Sequence, residues 1–173
     1  MAEKPIANRT ILAVFPVRDD RTTLMHIFGG STWKLLFTCT LRKTQTALSV
    51  LPGVVISGVR LSDGHGWSDL LREMKTMDCP PPLIVSDRLA DERLWAEVLN
   101  LGGYDLLVQP FDAKEVHHAV STACRRTEHV KAIARLRNRA TTANTGALPG
   151  IKVRTAFVGS EAASAREETT KGD

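Results

Sequence analysis

The stretch Leu101–Val120, LGGYDLLVQPFDAKEVHHAV, decides how this chain folds. Upstream of it, Glu92–Leu101 carries Trp95, Val98 and Leu99 at helical spacing, and Gly102 and Gly103 end that helix. Asp105–Val108 is then a short apolar strand closed by Gln109 and Pro110. Asp112 and Glu115 have the spacing of a capping box and open the last helix. Helix, glycine turn, strand and helix follow one another within thirty residues, the rhythm of a β-α unit.

Working outward, the same rhythm recurs toward the amino terminus. Ile11–Val17 (ILAVFPV) is an apolar run suited to a strand buried on both faces, followed by an amphipathic stretch over Arg21–Phe28. Lys34–Thr40 predicts a second strand, Lys43–Leu51 a helix and Gly53–Val59 a third strand. Trp67–Met77 carries Trp67, Leu70, Leu71 and Met74 on one helical face, and Pro80, Pro81 and Pro82 forbid its continuation. The prolines lead into a fourth strand, Leu83–Ser86. Five strands alternating with helices imply right-handed parallel crossovers and an α/β sheet covered on both faces. The simplest solution is a flavodoxin-like, doubly wound five-stranded sheet in the order 2-1-3-4-5, whose ligands gather outside the carboxyl ends of the strands.

Composition bounds the rest. The 173 residues, 43% hydrophobic, suit one domain with surplus length. We expect a flexible amino terminus over 1–9, a folded domain over 10–126, a basic helical extension over 127–140 and a mostly disordered tail over 141–173. Thr141–Gly150 and Ser160–Asp173 have a tail-like composition. Between them IKVRTAFVG alternates, so that Ile151, Val153 and Phe157 fit a strand added to a partner's sheet edge. No apolar run reaches the ~18–20 residues of a membrane span, and the polar opening lacks a secretory hydrophobic region, so a cytoplasmic location without membrane contact is expected. Cys39, Cys79 and Cys124 form no CxxC pair and read as reduced thiols. His117 and His118 are adjacent, not a metal-binding i, i+4 pair, and read as surface residues.

Two motifs, standing in order within this alternation, resemble the receiver domain of two-component response regulators over residues 10 to 126. One is Leu61–Leu71, LSDGHGWSDLL, similar to the loop and helix after the third strand. The other is GGYDLLVQPF, similar to the family's GA-D-Y-L-x-K-P-F pattern. The resemblance implies a regulatory module rather than an enzyme, with a pocket where a phosphoryl group passes to an aspartate. That chemistry needs two acids ending strand one to hold Mg2+ through oxygen ligands, which offsets repulsion between carboxylate and phosphoryl group. Phe15 and Pro16 stand there. The nucleophile's place falls to Gly58, and the lysine's to Gln109, which carries no charge to offset that of the transferring oxygens. Only the hydroxyl ending strand four remains, as Ser86, and Leu106 takes the place of the aromatic switch residue.

The expectation is therefore a degenerate pseudoreceiver without a Mg2+ cofactor, working through protein contacts. The resemblance would carry partner docking, including homodimer formation, to helix four, strand five and helix five around Trp95, Leu106 and Glu115. Trp95 suits an exposed anchor but equally the packing of helix four, and Trp67 suits a lid over the pocket but equally the core. Two alternatives stay open. A displaced acid, Asp63 with Asp19 or Asp20, with Asp87 also near the crevice, would restore phosphorylation if the loops folded back; otherwise these acids are solvated loop residues and caps. The basic last helix, reaching to about Arg139 through Arg125, Arg126, Lys131, Arg135, Arg137 and Arg139 against Glu128, would dock nucleic acid or an acidic partner, or pair as a coiled coil.

Overall fold

The computed structural model describes residues 9–145. Strands β1 (Thr10–Val14), β2 (Lys34–Thr38), β3 (Val54–Gly58), β4 (Leu83–Asp87) and β5 (Asp105–Val108) alternate with helices α1 (Arg18–Phe28), α2 (Leu41–Leu48), α3 (Trp67–Met74), α4 (Glu92–Leu101) and α5 (Ala113–Thr145). All pairings are parallel, in the order β2-β1-β3-β4-β5. This is the doubly wound arrangement that the alternation implies.

Continuous apolar strands are explained by burial on both faces. Ile11, Ala13, Val54 and Ile56 point to one side, where Leu24 and Phe28 of α1 and Val116 and Val120 of α5 meet them. Leu12, Val14, Val55 and Val85 point to the other, against Leu41 of α2, Leu70 and Met74 of α3 and Val98 of α4. Trp67 is 5% exposed within that second layer, so the lid reading gives way to the core reading. Its ring has no cheaper place, because α3 begins directly after the glycine-rich loop and turns Trp67 inward with Leu70 and Leu71.

Local chemistry sets the ends of the elements. Thr40 and Asp91 cap α2 and α4 by accepting from the amides of Lys43 and Leu94. Gly102 ends α4 in the left-handed region at φ 97°, and a side chain on Gly103 would put its Cβ 2.5 Å from Val98 Cγ1. The Gly-Gly pair thus lets β5 turn back directly beneath α4.

Several boundaries differ from expectation. β1 ends at Val14, before Phe15 and Pro16, and α1 begins at Arg18 rather than Arg21. Pro16 has no amide to donate to the ladder, and a chain past it has already left the sheet. α2 starts and stops a few residues early, ending at Leu48 because the chain turns at Leu51, which holds φ 52°. α5 continues past 126 as one helix, as expected, but ends at Thr145 rather than near Arg139. Among the described residues no helix is long and apolar enough to cross a membrane. The expected strand over 151–159 and most of the expected tail lie outside the described residues.

Candidate functional site

The crevice lies at the carboxyl edge of the sheet, where the register sets Gly58 of β3 beside Ser86 of β4. Phe15 follows the end of β1, and its amide donates to Thr38 O at 3.0 Å, keeping it in line with the strand. Arg21 Nε, one turn into α1, donates to Phe15 O at 2.7 Å. Held at both ends, the Phe15 ring is 1% exposed.

That ring lies over Gly58. A Cβ built on Gly58 would sit 3.5 Å from Phe15 Cδ1 and 3.6 Å from Cε1, so any longer side chain there must enter the volume of the ring. Phe111, in the turn before α5, meets Phe15 edge-on with centroids 6.0 Å apart and planes at 88°. Two aromatic rings therefore pack where the chain has its candidate phosphorylation pocket. Ser57, fully buried, turns its hydroxyl to Gly58 O at 2.8 Å.

Across the crevice, Gln109 is 8% exposed and its Nε2 donates to Ser86 Oγ at 3.1 Å. The amide and the hydroxyl satisfy each other without any charged group. The Gln109 amide continues the ladder to Asp87 O at 2.9 Å, and the Gln109–Pro110 bond is cis.

The acids weighed as substitutes each hold a partner of their own or sit in a helix turn. Asp63 Oδ2 accepts from the Leu41 amide at 2.7 Å, which caps the start of α2. Asp20 pairs with Arg88 at 3.0 Å. Because β3 lies between β1 and β4, this pair spans the end of the strand that carries Gly58. Partial burial raises the Asp20 pKa, the nearby Arg88 works against that rise and Asp19 adds to it. Asp87 Oδ1 accepts from the Arg88 amide at 2.7 Å. Asp19 and Asp20 belong to the first turn of α1, where the helix dipole favours them, rather than to a loop.

Outside the crevice, the expected partner residues separate. Trp95 is half-exposed at 50%, with Leu99 one turn on and also exposed. Leu106 is buried at 9% and belongs to the core, so it does not present itself to a partner; Val108, two residues along and 48% exposed, takes that outer position on β5. Both interior residues of β5 are covered, Leu106 by one core layer and Leu107 by the other, so only the ends of the strand reach solvent. Glu115 is exposed in the first turn of α5. His117 is half-buried rather than free at the surface: its Nε2 lies 3.0 Å from Ile27 O and its ring packs against Phe28, while His118 is exposed.

On α5, Arg125, Arg126 and Arg135 are exposed and Lys131 is half-buried; the side chains of Arg137 and Arg139 lie outside those described. Arg126 stacks over Tyr104, 5.8 Å from the ring centroid. Burial also pushes the Cys124 thiol up to about 12, with Glu128 adding to the rise. Neither the Tyr104–Arg126 contact nor the Phe15–Phe111 contact has a signal in local spacing.

Comparison with known proteins places the fold. The structure resembles the signal receiver domain of an HD domain-containing protein from Pseudomonas fluorescens, with TM-score 0.65, 21% identity, 76% of this chain covered and 97% of the other. NtrX from Brucella abortus matches with TM-score 0.68 at 18% identity, over 77% of this chain and 30% of its own. The chain has the fold of a receiver domain. In sequence it is 32% identical over 88 residues to the transcriptional regulatory protein FixJ of Bradyrhizobium diazoefficiens, covering 49% of this chain. The chain spans 42% of that relative's length. No family model matches.

Proposed function

We propose that this protein is a signal-transduction module of the response-regulator receiver family that has exchanged phosphoryl chemistry for constant shape, and that it acts through protein contacts. The carrying observation is the Phe15 ring packed over Gly58, 3.5 Å from where a side chain would begin. Phosphoryl transfer to a strand-three carboxylate needs an acceptor there, oxygen ligands for Mg2+ beside it and a cation for the transferring oxygens. The residues in those places are Gly58, Phe15 with Pro16, and Gln109. A hydrocarbon ring and a neutral amide offer a divalent ion no charge and no carboxylate, so these residues do not fit Mg2+.

A two-state protein responds only to a ligand that distinguishes its states. With the phosphate-sensing chemistry replaced, the output is set by how much of the protein is present and by what docks on it. The outer surface of α4, β5 and α5 suits docking, because Trp95 and Leu99 lie one helical turn apart on α4 and Val108 is exposed at the end of β5. A second copy of the chain is the first partner to test.

The experiment is a titration with Mg2+ and then beryllofluoride, followed through the backbone amide resonances of Gly58, Ser86 and Gln109. The expected result is no saturable shift. Saturable shifts at those amides would overturn the proposal and return a carboxylate such as Asp20 or Asp87 to the crevice. Docking is tested by sedimentation equilibrium of the wild type and Trp95→Ala; association that Trp95→Ala leaves unchanged would remove Trp95 from the contact surface.

A further inference from the structure

The opposite end of the sheet holds a cavity that the crevice chemistry does not involve. About 630 Å³ in volume, it opens between the end of α3, the proline run before β4, the α4–β5 turn and the middle of α5. This volume lies within the ~300–1,000 Å³ typical of small-molecule sites. Its floor is apolar: Met74 and Leu83 are each 1% exposed. Leu99 and Val130, on its walls, keep 37% and 52% of their surface in solvent.

Charge at the cavity is asymmetric. Lys75 and Arg126 both line it, against one acid, Asp78. Each cation is held from behind. Lys75 Nζ donates to Leu101 O at 2.7 Å, which leaves two of its three donors for other acceptors. Arg126 rests over the Tyr104 ring, itself part of the cavity wall. Pinning of this kind lowers the ordering cost when an anion arrives. Tyr104 adds a half-buried aromatic surface, and Pro80–Pro82 give a wall with few backbone amides to compete for the ligand's polar group.

We propose that this cavity binds a small anionic amphiphile: a molecule with an aliphatic or flat aromatic body and a single terminal acid group. The body covers the exposed sides of Leu99 and Val130 above the closed Met74–Leu83 floor, and the acid group lies between Lys75 and Arg126. An uncharged body alone leaves both cations without an added partner, and a small inorganic anion leaves the apolar walls wet. Charge and volume together favour the combined ligand. The walls belong to α4, the α4–β5 turn and α5, the elements that also bear the candidate docking surface, so the ligand would contact them directly.

The test uses the full chain and decanoate as the probe, displacing 8-anilinonaphthalene-1-sulfonate followed by its fluorescence, with decanol as the uncharged comparison. Decanoate should bind saturably with one site per chain, and decanol should bind about tenfold more weakly or worse, the loss of one charge-assisted contact pair. Lys75→Ala with Arg126→Ala should weaken decanoate by about tenfold or more while leaving decanol nearly unchanged. Both side chains are exposed at the rim, and circular dichroism of the double variant checks that it folds. The proposal is overturned if decanoate fails to saturate below about 1 mM, if decanol binds equally well, or if the double variant binds decanoate as the wild type does. Inorganic sulfate displacing the dye as well as decanoate does would reduce the site to an anion contact and would likewise overturn it.

Discussion

Phe15 and Gly58 form a pair whose coupling can be measured. Truncating Phe15 to Ala removes a ring that is 1% exposed and is packed on Gly58 and edge-on to Phe111. Buried Phe→Ala substitutions cost about 3–5 kcal/mol, a transfer contribution plus the cavity left behind. Against a total stability of roughly 5–15 kcal/mol, that loss is large but survivable for most domains. Gly58→Ala behaves differently, because the new methyl group meets Phe15 at ordinary contact distance and Gly58 holds no positive φ. It should be within about 0.5 kcal/mol of wild type or slightly stabilising, through a less disordered unfolded chain. Gly58→Asp must push a carboxylate into the ring and desolvate it, at a cost of about 3 kcal/mol or more. Combined with Phe15→Ala, the same carboxylate gains the vacated volume and access to water. The double variant should therefore be less destabilised than the two singles summed, by about 1–3 kcal/mol. Urea denaturation of the four proteins, with matched m-values, gives the cycle. Additivity within about 0.5 kcal/mol would refute the reasoning and show that the ring does not occupy the volume above Gly58.

Further expectations follow from other contacts. Gln109→Leu leaves the buried Ser86 hydroxyl without its 3.1 Å donor and should cost about 1–3 kcal/mol, most of it recovered on adding Ser86→Ala; failure of the second change to recover stability in denaturant titrations would contradict that account. With a disulfide-exchange reagent at pH 8, Cys39 and Cys79, both half-buried, should react within minutes while Cys124 reacts only on unfolding, since burial holds its thiol at about 12; three equally fast thiols in the native protein would contradict this. The Asp69 carboxylate accepts from the Gly66 amide at 3.0 Å, and this bond, with Arg72 and His65 nearby, holds its pKa below the ordinary 3.8. A depressed carboxyl contributes stability that is present above 3.8 and lost as pH falls through the lower folded value. The Gly66 amide shift should accordingly titrate with a midpoint below 3.8, and a midpoint at or above it would contradict the capping role.

Much of the architecture was legible because burial on both faces writes itself into apolar runs, and because glycine and proline punctuate them. Gly102–Gly103 and Pro80–Pro82 marked boundaries that the structure keeps. Gly58, which the resemblance puts in the nucleophile's place, stands where β3 ends. What escaped were contacts between residues distant in the chain. Phe15 and Phe111 meet across ninety-odd residues, and nothing local to either predicts the other. Leu106 stands apart from the docking surface because a strand covered on both faces buries its interior residues, whatever role a family position would give them. His117 was misplaced for a related reason: adjacent histidines on a helix point apart, so one of the two can be drawn under α1 while its neighbour stays in water. Asp63 was legible as an acid near a loop, but its partner, the Leu41 amide, is twenty-two residues away.

The uninterrupted course of α5 has a mechanical consequence. At ~1.5 Å per residue, the stretch from Thr127 to Thr145 carries the helix about 28 Å past the point where Ala123 and Cys124 anchor it against the sheet. A rigid arm of that length converts rotation at its root into travel at its tip: a tilt of about 10° displaces the far end by about 5 Å, close to one full helical pitch. Whatever leans on α5 near Tyr104 and Arg126 therefore has leverage over anything gripping the helix at its other end, with no rearrangement of the sheet required.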